Sequence, residues 1–263
     1  LYDKRLAQNT NVEHDLSYGV WNKLLKMDQN AFVLQYSGNS SDGYLQTFTT
    51  SSDGNTITQV LEKEWGTKND VYYPSFIRMS EDTYLTAYYG YNSGIKHDGT
   101  SVSNTWGQWL SVFQIKSDGS VINELGNFLH DTYTNSDPYN DLIKIDDDTY
   151  ALAYKSYNYG PQTSGSWGGW IKTFKVNGGN INQINELQHY TSSDSYWHSW
   201  ERLSATTYAL AWQGSGGDGY ITTFTISTDG ATITEIAELE HDGNNGSYNS
   251  FAKLDDDTYI LAY

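Results

Sequence analysis

The sequence predicts an all-β fold made of repeated four-stranded antiparallel units. A seven-residue phrase recurs along the 263-residue chain, as DTYLTAY, DTYALAY, TTYALAW and DTYILAY. These copies begin at Asp82, Asp148, Thr206 and Asp257, and a diverged copy, NAFVLQY, begins at Asn30. Recurrence at intervals of several tens of residues indicates repeated supersecondary units. The composition agrees, because 23 Tyr, 9 Trp and only 3 Pro are typical of strands.

The repeat unit around Thr206 shows the four strands most clearly. Its predicted strands, lettered a to d in chain order, cover residues 197–203, 208–212, 220–226 and 232–240. The Asp229-Gly230 pair between strands c and d predicts a tight hairpin turn, because such turns favour Asp or Asn followed by Gly. Strand b alternates large and small apolar residues, which predicts a sheet packed on both faces.

Four antiparallel strands repeated around an axis form the blade of a β-propeller. A β-sandwich and a linear solenoid are alternatives, but neither requires such similar four-strand units. Residues 13–15 read as the end of a strand d, and residues 248–263 read as a strand a and a strand b. Joined, they predict a fifth blade and therefore a five-bladed β-propeller, in a single domain over residues 1–263. Strand c of that blade is missing, and residues 1–6 are too short and too polar to replace it. Either that blade has three strands or the natural chain runs past Tyr263.

Composition and charge exclude several classes of function. The net charge of -17 argues against nucleic-acid binding, which needs clustered Lys and Arg. Cysteine is absent, so neither disulfides nor thiolate chemistry are available. No apolar run approaches the ~18 residues that suggest a membrane span.

Histidine recurs at the end of strand d, and Trp65 takes its place in the first unit. The four histidines are His14, His130, His189 and His241. Metal ligands must converge on one ion. Equivalent residues of outermost strands lie far apart, so we predict a hydrogen-bonded corner at the end of strand d, with no metal and no cofactor. The Asp-rich turns lack the spacing of a dedicated calcium loop.

Basic residues recur near the end of strand a. They are Lys26, Arg78, Lys144, Arg202 and Lys253. In three units an aspartate follows two residues later: Asp28, Asp146 and Asp255. We predict ion pairs that tie the a–b turns together, with an anion site in the channel as the alternative.

An aromatic residue begins strand a in every unit, and this is the strongest candidate for a binding site. The five are Trp21, Tyr73, Tyr139, Trp197 and Tyr248, called here the axial aromatics. The residues that follow them are Asn22, Pro74, Asn140, His198 and Asn249. An aromatic face can pack on the C–H face of a sugar, and a neighbouring amide can bond its hydroxyls. The alternative is an aromatic collar that packs blade against blade.

Two long segments between strands b and c are predicted to lie on the same face of the propeller as the axial aromatics. Residues 89–107 include Tyr91, His97 and Trp106, and residues 155–168 include Tyr157, Tyr159 and Trp167. Variable loops on a rigid scaffold commonly carry binding residues. Trp109 and Trp170 align with strand c of the other units, and Trp200 aligns with apolar strand-a residues, so all three are predicted to be core.

The phrases LAWQGSGGDGYITTFTISTDGATITEIAELEHD and LDDDTYILAY resemble repeat proteins of marine archaea and bacteria that look like secreted or surface-attached propeller arrays. This resemblance implies an extracellular or cell-surface location and carries no active-site residues. The architecture is also similar to that of the tachylectin-type lectins, but fold alone does not establish function.

These patterns favour a non-catalytic module that binds glycans or surface proteins. The first alternative is a structural component of a larger assembly at the cell surface or in a virion. The second is a glycoside hydrolase, which needs two carboxylates about 5–9.5 Å apart. At the start of strand a the chain offers only Asp141.

Overall fold

The computed structural model describes residues 10–16, 18–65, 71–132, 139–158 and 166–263. Over these residues the fold is all-β and β-propeller-like, as predicted, with no α-helix. Two one-turn 3-10 segments, Asn39–Ser41 and Ser215–Gly217, lie between strands b and c of sheets 1 and 4, described below. Within the described residues, no helix has the length and apolar character needed to span a bilayer.

Sheets 1 and 2 each contain four antiparallel strands in chain order. Sheet 1 consists of β1 (Val20–Lys26), β2 (Ala31–Ser37), β3 (Gly43–Thr50) and β4 (Ile57–Trp65). Sheet 2 consists of β5 (Val71–Arg78), β6 (Thr83–Lys96), β7 (Ser101–Ile115) and β8 (Ile122–Asp131).

Sheets 3 and 4 repeat this arrangement, and a two-stranded pair follows. Sheet 3 consists of β9 (Asp141–Lys144), β10 (Thr149–Asn158), β11 (Ser166–Asn177) and β12 (Asn180–Tyr190). Sheet 4 consists of β13 (Tyr196–Arg202), β14 (Thr207–Gln213), β15 (Gly219–Ile226) and β16 (Ile233–Asp242). The C-terminal pair consists of β17 (Ser250–Lys253) and β18 (Tyr259–Ala262). The first strands of successive sheets contact one another, from β1 through β5, β9 and β13 to β17.

The core lies between adjacent sheets and is built from strands b and c. Trp109 and Trp170 are fully buried and Trp200 is 7% exposed, which confirms their prediction as core residues. The large strand-b residues point into these interfaces, as the alternation predicts; Tyr150, Leu152 and Tyr154 are all fully buried.

The predicted N-terminal strand is wrong over residues 10–16, which form no strand. A strand needs a neighbour to satisfy its backbone groups, and no strand c of a fifth sheet is present among the described residues. The segment nevertheless contacts sheet 1. The His14 ring lies 4.8 Å from the ring of Tyr36 in β2.

The same contact recurs at each boundary between sheets. A residue at the end of strand d places its ring against the aromatic that ends the repeated seven-residue phrase of strand b in the next sheet. Trp65 contacts Tyr88 at 4.9 Å, and His130 contacts Tyr154 at 5.0 Å. His189 contacts Trp212 at 5.2 Å, and His241 contacts Tyr263 at 4.5 Å.

These histidines therefore pack as rings, and the prediction of a hydrogen-bonded corner is wrong. Both ring nitrogens of His130, His189 and His241 are buried without a hydrogen-bond partner among the described residues. Burial lowers the pKa of His130 and His189 well below the ordinary value. Within the described part of the chain, no group of three or more His, Asp or Glu side chains is placed to hold a metal ion.

The segment at residues 89–107 is a β-hairpin and not the predicted loop. Strand β6 continues to Lys96, β7 begins at Ser101, and Tyr91 pairs with Trp106 across them. The hairpin folds over sheet 2 until Ile95 pairs with Phe128 of β8 in a parallel bridge. Gly94 permits this approach, because a Cβ there would lie 2.4 Å from the Asn127 carbonyl oxygen.

The basic residues at the end of strand a bind the a–b turns, as the ion-pair prediction expected, but through different partners. Lys144 Nζ lies 3.4 Å from Asp147 and Lys253 Nζ lies 3.5 Å from Asp256, each three residues on instead of two. Arg202 donates to the carbonyl oxygens of Ser204 and Ala205 at 2.9 and 2.6 Å.

Candidate functional site

The axial aromatics share an unusual backbone conformation. All five have positive φ: 53° at Trp21, 50° at Tyr73, 47° at Tyr139, 55° at Trp197 and 59° at Tyr248. For a bulky residue this left-handed conformation costs free energy, on the order of 1–3 kcal/mol, and persists only where surrounding contacts fix it. The strand register shifts at this point in β1, β5 and β13, which marks a β-bulge at the start of strand a.

These bulges bring the five rings together. Successive ring centroids are 4.9 Å apart for Trp21 and Tyr73, and 4.6 Å apart for Tyr73 and Tyr139. They are 4.4 Å apart for Tyr139 and Trp197, and 3.9 Å apart for Trp197 and Tyr248. The rings therefore form the collar considered above, and the same rings line a pocket.

This central pocket has a volume of about 230 Å³. It is lined by the axial aromatics, by the residue that follows each of them, and by Lys23. Nine of the predicted site residues therefore meet in one place: Trp21, Asn22, Tyr73, Tyr139, Asn140, Trp197, His198, Tyr248 and Asn249.

Three of the residues after the axial aromatics bind the preceding sheet: Asn140, His198 and Asn249. Asn140 Nδ2 donates to the Tyr73 carbonyl oxygen at 3.4 Å, and Asn249 Nδ2 donates to that of Trp197 at 3.2 Å. The Oδ1 atoms of Asn140 and Asn249 are buried without a hydrogen-bond partner in the described residues. These amides thus stabilise the ring positions, a role that the sequence pattern did not predict.

His198 makes the equivalent bond with an imidazole. Its Nδ1 lies 2.8 Å from the Tyr139 carbonyl oxygen, and its Nε2 lies 2.9 Å from Ser195 Oγ. A carbonyl only accepts, so Nδ1 carries the proton and Nε2 accepts from the Ser195 hydroxyl. Burial lowers the pKa of His198 to about 4, which keeps the ring neutral at neutral pH.

A second set of hydrogen bonds joins the strands two residues further on. The Leu142 N–H donates to Ser75 Oγ at 2.9 Å, and the Phe251 N–H donates to Ser199 Oγ at 3.0 Å. Asp141 takes the same role between sheets 3 and 4, because its Oδ2 accepts the Trp200 N–H at 2.8 Å.

The other carboxylate oxygen of Asp141 is also bonded, since Oδ1 accepts from Ser75 Oγ at 3.2 Å. Burial raises the pKa of Asp141, while the positive charge of Lys23 and these hydrogen bonds act in the opposite direction. Asp141 is therefore a structural acceptor between three sheets. Among the described residues, neither Asp141 nor any other Asp or Glu lines the central pocket.

The remaining predicted site residues lie outside the pocket. A row of rings extends from Trp21 over sheet 2, with centroids 5.2 Å apart for Trp21 and Tyr72, and 6.0 Å apart for Tyr72 and Tyr89. It continues at 5.4 Å from Tyr89 to Trp106, which lies 5.7 Å from Tyr91. Sequence reasoning missed Tyr72 and Tyr89, although the Tyr-Tyr pairs at both positions were a visible signal.

Sheet 3 carries a matching pair in the same register. Tyr157 pairs with Trp167 across β10 and β11, and their rings are 5.7 Å apart. Lys155 Nζ lies 3.9 Å from the centre of the Tyr196 ring and 5.8 Å from that of Trp167, at cation–π distances. Tyr159, also predicted for this site, lies outside the described residues.

Comparison with known proteins supports the fold. No protein-family model matches the chain, and no curated protein is significantly similar to it in sequence. Among solved structures, a protein of unknown function from Dyadobacter fermentans is 14% identical with a TM-score of 0.56, over 92% of this chain and 74% of that one.

Two further structures align less closely. A candidate 6-phosphogluconolactonase from Bacteroides fragilis is 10% identical with a TM-score of 0.43, over 82% of this chain and 70% of that one. A triple arginine-to-alanine mutant of AofleA from Arthrobotrys oligospora is 10% identical with a TM-score of 0.49, over 91% and 63%. With TM-scores below 0.5, these two alignments support no conclusion about this chain.

Proposed function

We propose that this chain is a non-catalytic glycan-binding or adhesion module that acts at the cell surface or outside the cell. The observation that carries the proposal is the continuous row of aromatic rings from the central pocket to the hairpin of sheet 2. Trp21, Tyr72 and Trp106 in this row are half-buried, whereas Tyr89 is buried. Half-buried rings offer flat apolar faces to sugar rings, at little cost in side-chain entropy.

The proposal includes a five-bladed ring in which β17, β18 and the segment around His14 belong to one blade. Its support is the contact between His14 and Tyr36, which repeats the contact found at the other boundaries. Trp21 of sheet 1 and Tyr248 of the C-terminal pair also line the same pocket. A crystal structure with another number of blades would overturn this part.

Binding is proposed to be non-catalytic because Asp141 is held by hydrogen bonds from Ser75 and Trp200. Hydrolysis of a glycosidic bond needs a paired acid and base or nucleophile. The lining of the central pocket supplies no such pair in the described part of the chain.

The test is a glycan-array screen of the purified chain, followed by titration of the best ligand against variants. We expect Trp106→Ala and Trp167→Ala each to cost on the order of 1–3 kcal/mol of binding free energy, through loss of a stacking face. Circular dichroism should show an intact fold. Asp147→Ala, in an exposed a–b turn, is the control. If Asp147→Ala abolishes binding while both tryptophan variants bind normally, the proposed face is wrong.

A structural role in a larger assembly is the second candidate, and an apolar cavity with an exposed leucine at its edge favours it. A cavity of about 430 Å³ on sheet 1 is lined by apolar residues that include Leu34, Phe48 and Ile57, and Leu24 beside them is 61% exposed. Large apolar patches commonly mark interaction surfaces. Light scattering that shows concentration-dependent assembly, together with an empty glycan array, would favour this role.

A further inference from the structure

Lys23 breaks the repeat at a position that otherwise joins neighbouring sheets. The residue two places after each axial aromatic is Lys23, Ser75, Asp141, Ser199 or Ser250. Three of these, Ser75, Asp141 and Ser199, accept a backbone N–H from the next sheet. A lysine ammonium has no lone pair to accept with. Lys23 therefore cannot make the equivalent bond to the N–H of Phe76.

Lys23 instead contributes to the central pocket. It is exposed, and it is the single charged residue in the lining of that pocket among the described residues. The neighbouring polar groups are committed elsewhere, since Asn140, Asn249 and His198 bind backbone carbonyls of the preceding sheets. The ammonium of Lys23 is thus the single charged hydrogen-bond donor in the described lining of the pocket.

Asp141 does not neutralise this ammonium. The two groups attract each other, because Lys23 favours the charged form of Asp141. However, no ion pair joins them, although both lie in the described part of the chain. Both carboxylate oxygens of Asp141 already accept hydrogen bonds from Ser75 and Trp200.

We propose that the central pocket binds an acidic sugar, with Lys23 paired to the sugar carboxylate and the axial aromatics against the pyranose ring. This inference rests on the proposed glycan-binding function. The volume of about 230 Å³ suits one sugar unit, because pockets for larger ligands measure about 300–1,000 Å³. The net charge of -17 makes Lys23 a local feature and not part of a general basic patch.

The experiment compares two ligands that differ at one carbon. Methyl glucuronide carries a carboxylate where methyl glucoside carries a hydroxymethyl group, and each is titrated by calorimetry or by NMR. We expect the unaltered protein to bind the glucuronide about tenfold more tightly, since a charge-assisted hydrogen bond exceeds a neutral one by that order. A methyl sialoside arm distinguishes a uronic acid from a sialic acid as the source of the carboxylate.

Lys23→Ser is the matched variant, because serine occupies this position in three other repeats. It should reduce the preference for glucuronide to about one, because the affinity for glucuronide should fall much further than the affinity for glucoside. The fold should be preserved, and Lys23→Gln should behave in the same way.

Equal binding of both sugars by the unaltered protein would overturn the inference and leave the glycan-binding proposal standing. An equal loss of affinity for both sugars in Lys23→Ser would also overturn it, because the contribution of the lysine would then not depend on the charge of the sugar. Absence of binding to any glycan on the array would remove both proposals.

Discussion

The boundary between sheets 1 and 2 and the boundary between sheets 3 and 4 use the same repeat positions but fill them with different residues. Between sheets 3 and 4 these positions hold His189, His198 and Asp141, and the last two form hydrogen bonds across the boundary. Between sheets 1 and 2 they hold Trp65, Pro74 and Lys23. Proline has no side-chain donor and a lysine ammonium cannot accept, so both hydrogen bonds are absent there.

Apolar packing replaces them. The Trp65 ring is 3% exposed, and its centroid lies 4.9 Å from that of Tyr88 and 5.2 Å from that of Phe113. A buried bond from Gln35 Nε2 to Thr86 Oγ1, 2.7 Å long, adds to the contact. Polar hydrogen bonds and a large buried ring are thus alternative ways to hold two neighbouring sheets together. They differ in what they leave exposed, because only at the apolar boundary does this position hold a residue, Lys23, whose side chain lines the pocket.

Removal of the large rings should have the largest effect. We expect Trp65→Ala and Trp200→Ala each to lower the free energy of unfolding by about 3–5 kcal/mol, through lost burial and a cavity. Trp65→Ala should lie at the upper end, because its boundary lacks the two hydrogen bonds. Urea unfolding measures this, with the half-buried Trp106→Ala as a milder control. A cost below that of Trp106→Ala at either site would contradict the assignment.

Acid should weaken the boundary between sheets 3 and 4 more than the boundary between sheets 1 and 2. The pKa of His198 is about 4 in the fold and about 6.5 when unfolded, so the unfolded chain binds a proton first as pH falls. Its contribution to stability is complete above pH ~6.5 and is lost towards pH ~4, on the order of 3 kcal/mol. His198→Asn keeps the donor but removes the titration. It should flatten the urea-midpoint profile over this range, although buried His130 and His189 leave a residual slope. An unchanged profile would count against the buried neutral imidazole.

The paired variants Ser75→Ala and Lys23→Ala test the hydrogen bond that the residue two places after each axial aromatic accepts from the next sheet. Ser75→Ala leaves the Leu142 N–H without its acceptor and should cost about 1–3 kcal/mol. Lys23→Ala breaks no such bond, so its effect should be within about 0.5 kcal/mol. Equal costs in urea unfolding would show that the two boundaries do not differ in this way.

A chelator should have the smallest effect. The strand-d histidines pack on the aromatics of the next sheet, and Trp65 serves the same purpose without any metal-binding group. EDTA should therefore leave the melting temperature unchanged. A fall of several degrees would reveal a metal that stabilises the fold.

The sequence predicted the sheets well because the repeat fixes strand order and turn positions together. It also predicted that the residues at the start of strand a would meet. It could not predict the positive φ of bulky residues such as Trp197, because no local preference favours that conformation. The amide of Asn140 was assigned to a ligand because residue type does not reveal which partner a donor finds. The hairpin of sheet 2 was missed because pairing between Tyr91 and Trp106 depends on long-range register.

The contact between the end of strand d and the next sheet has an evolutionary consequence. Each unit presents an aromatic on strand b and supplies a ring at the end of strand d, so every junction is made from the same two halves. Unequal recombination that inserts or deletes one whole unit joins compatible halves again, whereas a crossover within a unit risks separating a ring from the space it fills. At Gly169, for example, a Cβ would lie 2.4 Å from His189 Nε2, so the small residue and the large one must be inherited together.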